Sequence, residues 1–228
     1  MVRLRVRSRS FVGSCLVLAL LIVGTGYGLK SVRDALIADR TEQLAKTVRE
    51  GYLRVANYYQ LAAGGDMAMA RARQSALAAL QEMRHASNDY FWVTDYDARF
   101  LMHPIKPELV GQLLPTLDPG SKTPLHGRLA VLLRQQGSGY LHYHWPKPGS
   151  AEPLAKVSYV IGFKPWGWGI GSGVYVDDID RAFWVEVRTL GAIGLILLAV
   201  LALFWFGFRG DLLPRDQRTL FQQQRPTR

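Results

Sequence analysis

Residues 88–104, NDYFWVTDYDARFLMHP, decide how the rest of the chain is read. Aromatic and β-branched residues flank an Asp-rich break, which predicts two short strands, 90–94 and 99–103, joined by Asp95, Tyr96, Asp97 and Ala98. Side chains alternate across a strand. Tyr90, Trp92 and Thr94 therefore share one face and Phe91 and Val93 the other, while Leu101 and His103 oppose Phe100 and Met102. One face suits a core. The other suits a pocket wall of aromatic edges, hydroxyls and an imidazole, better matched to holding a small polar ligand than to covalent chemistry.

Upstream, residues 30–63 read as a long helix, because Val32, Leu36, Leu44, Val48, Tyr52, Val55 and Tyr59 recur mostly at intervals of three or four. That stripe serves core packing, a dimer seam, or both. Gly64 and Gly65 end the helix, and Asp66 is placed to cap a second one reaching about residue 85. Downstream, residues 104–124 carry five prolines and read as a loop, and 125–136, with Leu129, Leu132 and Leu133, as a short amphipathic helix stopped by Gly137. Three strands follow at 139–145, 155–163 and 168–176, broken by proline- and glycine-containing turns. Asp177 is placed to cap a last helix. The predicted fold class is α+β: one PAS-like antiparallel five-stranded sheet, with the long N-terminal helix on one face and loops plus the short helix on the other.

Two uncharged 19-residue runs flank this region, FVGSCLVLALLIVGTGYGL at 11–29 and LGAIGLILLAVLALFWFGF at 190–208. Each is long enough as a helix to cross a hydrocarbon core of about 30 Å. The first exceeds an ordinary signal-peptide core and lacks a clear small-residue cleavage site, which favours an uncleaved anchor. The predicted organisation is a cytoplasmic start at 1–10, spans at 11–29 and 190–208, an external domain at 30–189 and a cytoplasmic tail at 209–228. Charge agrees with it. The first ten residues carry four Arg and no acid, the segment after Phe208 five Arg against two Asp, and 30–189 is nearly balanced. Basic ends favour the cytoplasmic side of a membrane, so the net charge of +10 reports topology and does not argue for nucleic acid. Cys15 is the only cysteine, which excludes an intrachain disulfide and a zinc-thiolate cluster.

Three blocks in order, NDYFWVTDYDARFLMHPIKPEL, GSGYLHYHWPKPGS and KVSYVIGFKPWGWGIGSGVYVDDID, resemble the single Cache domain, in its second subfamily, of bacterial methyl-accepting chemotaxis proteins and sensor kinases. The resemblance covers about 30–188. It implies an extracytoplasmic sensor that binds a small organic acid of the acetate, propionate, pyruvate, lactate or malate class, as a homodimer along the 30–62 helix. Family members continue into long coiled-coil output regions, whereas RGDLLPRDQRTLFQQQRPTR has two prolines and no sustained heptads. Signalling through a separate partner is one expectation. The alternatives are a truncated receptor remnant and an anchored adaptor whose external domain binds protein.

A carboxylate needs a cation and several donors in a partly desolvated pocket. The candidates are Arg84, Tyr90, Trp92, His103, Tyr143, Trp145, Lys156 and Tyr159. Arg84 equally suits a solvated helix end, and His103, just before Pro104, a structural hydrogen bond. Lys156 and Tyr159 fall on opposite faces of a regular strand, so both line one pocket only if a bulge intervenes or one sits at its rim. His142 and His144 lack a third metal ligand, and Gly169, Gly171 and Gly173 lie inside a strand with no helix opening behind them, unlike a phosphate cradle. Their missing side chains would let a helix or a ligand approach the backbone. No cofactor, metal or catalytic constellation is expected.

Overall fold

A computed structural model of the chain describes residues 2–83, 89–115, 123–150 and 152–211. Helix α1, Val2–Ala63, is uninterrupted and contains both the first predicted span and the predicted long helix. It stops at the expected glycines, where the Gly64 and Asp66 amides donate back to Gln60 O and Leu61 O and Gly65 adopts φ +88°, a region unfavourable to other residues. Asp66 does not cap α2, Met69–Glu82. The cap position falls two residues later on Ala68, and no side chain bonds to the first turn.

Strands β1 (Phe91–Asp95), β2 (Phe100–Met102), β3 (Ser138–Pro146), β4 (Pro153–Phe163) and β5 (Trp168–Tyr175) form one sheet in the order β2-β1-β5-β4-β3. All neighbours are antiparallel, as hairpin connections require. The β1–β2 turn is held by Asp95 Oδ1, which accepts from the amides of Asp97 and Arg99 at 2.9 and 2.8 Å.

The two faces bury separate cores. On one, Leu44, Val48 and Val55 of α1 and Ala72, Ala76 and Leu80 of α2 pack with Phe91, Val93, Phe163 and Ile170. Contact is close at Gly51, where a Cβ would stand 2.5 Å from the Phe91 ring. From Leu44 to Val55 the apolar stripe of α1 is thus core within its own chain, whereas Val32 is exposed. On the other face, α3 (Leu125–Val131) and the π-helical turn Leu132–Gln136 bring Leu125, Leu129, Leu132 and Leu133 against Trp92, Phe100, Tyr143 and Val160. The predicted 125–136 helix therefore changes pitch midway before ending at Gly137, φ +78°.

Strand β2 departs from simple alternation. Val93 pairs with Met102 but the next residue, Thr94, pairs with Phe100, which leaves Leu101 as a bulge. Phe100 and His103 consequently face the same side while Leu101 and Met102 pack on the helical side, correcting the alternation expected from sequence. Helix α4, Val176–Asp211, starts one residue before Asp177. Asp177 therefore lies in its first turn and is not its cap. Among the described residues one segment, Val176–Val200, is long and apolar enough to cross a membrane. The side chains of 11–22, most of the first predicted span, and the tail 212–228 lie outside the description.

Candidate ligand-binding site

The site grows from the bulged hairpin. Trp92 from β1 and Tyr90 just before it, Phe100 from β2 and His103 just after it, Leu114, and Tyr143 and Trp145 from β3 line a cavity between the sheet and its covering loop. Its volume is about 10 Å³. That is room for about one water. The walls are aromatic and interlocked: the His103 ring centroid lies 5.1 Å from Tyr90, 5.3 Å from Phe100 and 5.8 Å from Trp145.

His103 has a defined role in this wall. Its Nδ1 accepts the backbone N–H of Lys106 at 3.0 Å, so the neutral ring carries its proton on Nε2. Burial, then the nearby Lys156 and Lys106, push its pKa down to about 3, so it is a neutral donor at any physiological pH. Tyr143 is fully enclosed and its hydroxyl shares a 2.8 Å hydrogen bond with Ser158 Oγ. Burial drives the Tyr90 and Tyr143 phenols upward, so both stay protonated.

Lys156 stands behind this wall, 1% exposed. Its Nζ lies over the ring faces of Tyr90, at 4.0 Å from the centroid, and Tyr175, at 4.7 Å. Among the described residues no hydrogen-bond acceptor meets that nitrogen. Burial pushes its pKa down to about 7, with Asp89 acting weakly in the opposite direction. The stem fits because Gly173 faces it: a Cβ there would meet Ser158 Oγ at 2.2 Å and Lys156 Cε at 2.7 Å. Gly171 makes room for the Trp92 indole in the same way, and Gly169 for Leu133. What approaches the glycine strand is thus Trp92, Lys156 and a side chain of the π-helical turn.

Six of the eight residues named from sequence come together here: Tyr90, Trp92, His103, Tyr143, Trp145 and Lys156. Tyr159 does not. No bulge interrupts β4, so Tyr159 keeps to the opposite face, where it stacks 4.7 Å from Tyr140 and its hydroxyl donates to Ser138. Arg84 lies outside the described residues. Sequence reading missed Tyr175 and Ser158. Tyr175 pairs directly with Lys156 across β4 and β5, and same-face alternation from the three glycines would have found it. Its hydroxyl donates to Pro146 O at 2.8 Å, and burial, the largest cause, raises its pKa to about 12.

The single Cache domain 2 family matches over residues 36–189. The chain is 36% identical over 185 residues to the methyl-accepting chemotaxis protein McpP of Pseudomonas putida, covering 81% of this chain and 34% of McpP. It therefore spans about a third of that relative's length. A periplasmic sensor domain of a chemotaxis protein superposes with TM-score 0.58 at 40% identity, covering 61% of this chain and 97% of that domain. A Cache chemosensory domain solved for its carboxylic acid recognition superposes with TM-score 0.58 at 38% identity, covering 63% and 97%. On the family match, this chain belongs to the single Cache domain 2 family of sensor domains.

Proposed function

We propose that this chain is a membrane-anchored sensor whose extracytoplasmic domain binds a small carboxylic acid. The observation that carries the reading is the buried amine of Lys156, without an acceptor among the described residues, beside a cavity walled by donors. A carboxylate is the group such an arrangement lacks, since charge-assisted hydrogen bonds offset the dehydration of both partners. Its oxygens would take Lys156 Nζ, His103 Nε2 and the Tyr90 and Tyr143 hydroxyls, and its short carbon chain would lie against Phe100, Leu114 and Trp145. Arg84, two residues past α2 in the sequence, remains a candidate partner.

The cavity is small, so two- and three-carbon acids fit this reading better than malate. Even acetate needs Tyr90 to swing from its place over the amine, which makes binding a rearrangement of the wall. That movement reaches α4 through Tyr175, which touches Lys156 and directly precedes Val176, the helix's first residue. The signal would then cross the membrane along α4 as a small shift or rotation. Spans at 11–29 and 190–208, both termini in the cytoplasm and a periplasmic domain complete the proposal, supported by the Arg-rich start and the apolar Val176–Val200 segment. A homodimer along 30–62 would use faces of α1 other than its buried stripe, and output would pass to further signalling elements.

A thermal-shift series on the full chain in detergent, against acetate, propionate, pyruvate, lactate and malate, tests it. A ligand at 100 times its Kd should stabilise the fold by about 2.7 kcal/mol. A well-folded protein that none of these acids stabilises overturns the proposal.

A further inference from the structure

Lys156 poses a question beyond which acid is bound. Its ammonium would sit in a closed aromatic shell, and charge is costly there without a counter-ion. Among the described residues the titratable and charged groups around it are Asp89 and Tyr90 ahead of β1, His103 after β2 with Lys106 beyond it, Tyr143 on β3, Tyr175 on β5, and Lys147 over the Tyr175 ring at 5.1 Å. Among those lining the cavity itself there is no carboxylate. Of the described groups that line the cavity or face the amine, the imidazole is neutral and the phenols are protonated near neutral pH, and the amine is the one whose charge burial brings into that range.

We infer that the site captures its acid together with one proton, so that above neutral pH its occupancy follows the concentration of the undissociated acid and not that of the anion. This rests on the carboxylate reading of the same site. The step balances simply: the Lys156 amine takes a proton from solvent to become an ammonium, and the carboxylate enters as its counter-ion, with no other bond made or broken. An arriving anion restores the charged form that burial alone disfavours, with the amine releasing its proton near pH 7 when the site is empty. Uptake of an anion and a proton is thermodynamically the same as uptake of the neutral acid, because the product of their concentrations is proportional to it. The sensor would thereby report the form of a weak acid that crosses membranes uncharged, and would respond to acidification and to added acid as one signal. Below neutral pH the amine is already charged, and occupancy returns to following the anion.

Isothermal titration of the full chain in detergent with acetate and with propionate, in paired buffers of different ionisation enthalpy, reads the proton count directly. Near pH 6 the count should be close to zero. Near pH 8.5 it should approach one, and the apparent Kd for total acetate should weaken by about tenfold per pH unit above neutrality. Lys156→Arg, whose guanidinium stays charged, should bind without proton uptake if it binds at all. Binding of either acid near pH 8.5 with no proton uptake overturns this inference and leaves the carboxylate reading standing. Absence of binding by both acids at both pH values overturns the two together.

Discussion

Lys147 Nζ lies 2.7 Å from Asp177 Oδ2, which pins the β3–β4 hairpin to the first turn of α4. Asp178 Oδ1 meets the same amine at 2.8 Å, and Arg181, one turn on, pairs with both carboxylates. Tyr175 meets both this latch and Lys156. Its ring centroid lies 5.1 Å from Lys147 Nζ and 4.7 Å from Lys156 Nζ, and its hydroxyl donates to the Pro146 carbonyl just before Lys147. Arg33 completes the collar by bonding Asp180 at 2.8 Å, which ties α1 to α4 on the domain side.

Lys147→Ala should uncouple the latch without touching the cavity. The carboxylates are more than a third exposed, so the loss in stability should be about 1 kcal/mol or less. The Kd for acetate should stay within about twofold. Hydrogen exchange of amides around 177–181 should accelerate, and unchanged exchange there would show that the latch holds nothing.

Lys156→Met should abolish carboxylate-induced stabilisation while leaving a folded protein, because a similar-sized apolar chain removes a buried amine. The variant also separates the pH dependence of stability. Unfolded lysine keeps its proton to about 10.5 whereas the folded site releases it near 7, so between these values the unfolded chain binds more protons and raising pH favours the ligand-free fold. The Tm of the ligand-free wild type should therefore rise over this window relative to Lys156→Met. A flat difference would place the amine in a more hydrated site.

His103 acts with the same sign in acid. Its folded pKa near 3 lies below the ordinary value of 6.5, so stability should fall as pH drops from about 6.5 toward 3 while the unfolded imidazole takes up a proton. His103→Gln, which keeps a polar side chain but does not titrate, should reduce that slope in urea unfolding measured across the range.

Gly171→Ala should displace the Trp92 indole, since the added Cβ would lie 2.4 Å from a ring carbon. The expected cost is about 1–3 kcal/mol, with a weaker response to acetate because the cavity wall moves. Trp fluorescence and denaturant unfolding would report both. Wild-type values in each would mean that the strand relaxes at Gly171.

Tyr143→Phe and Tyr159→Phe form a matched pair. The first leaves Ser158 Oγ buried without its partner and should cost about 1–3 kcal/mol and weaken acid binding. The second removes only a 3.3 Å hydrogen bond to Ser138 on the opposite face and should leave acid binding unchanged. Equal losses of affinity in the two variants would contradict the division of the sheet into two faces.

Local pattern determined much of this protein. The Asp-rich turn, the three-and-four spacing of α1, the glycine stop at residues 64 and 65 and the proline breaks identified the five strands and the four α-helices of the described residues, because each is set by side chains a few residues apart. Tertiary structure alone decided which side chains meet. The β2 bulge exists because its partner β1 imposes a register, and it turns His103 toward Phe100, against the alternation a lone strand would show. Tyr159 is excluded from the cavity because β4 is paired on both edges without interruption. The burial of Lys156, and its having no acceptor among the described residues, could not be read from its neighbours in the chain at all, since both belong to the assembled sheet. The sequence by itself determined the elements and the family, and only packing at long range placed a buried amine behind an aromatic wall.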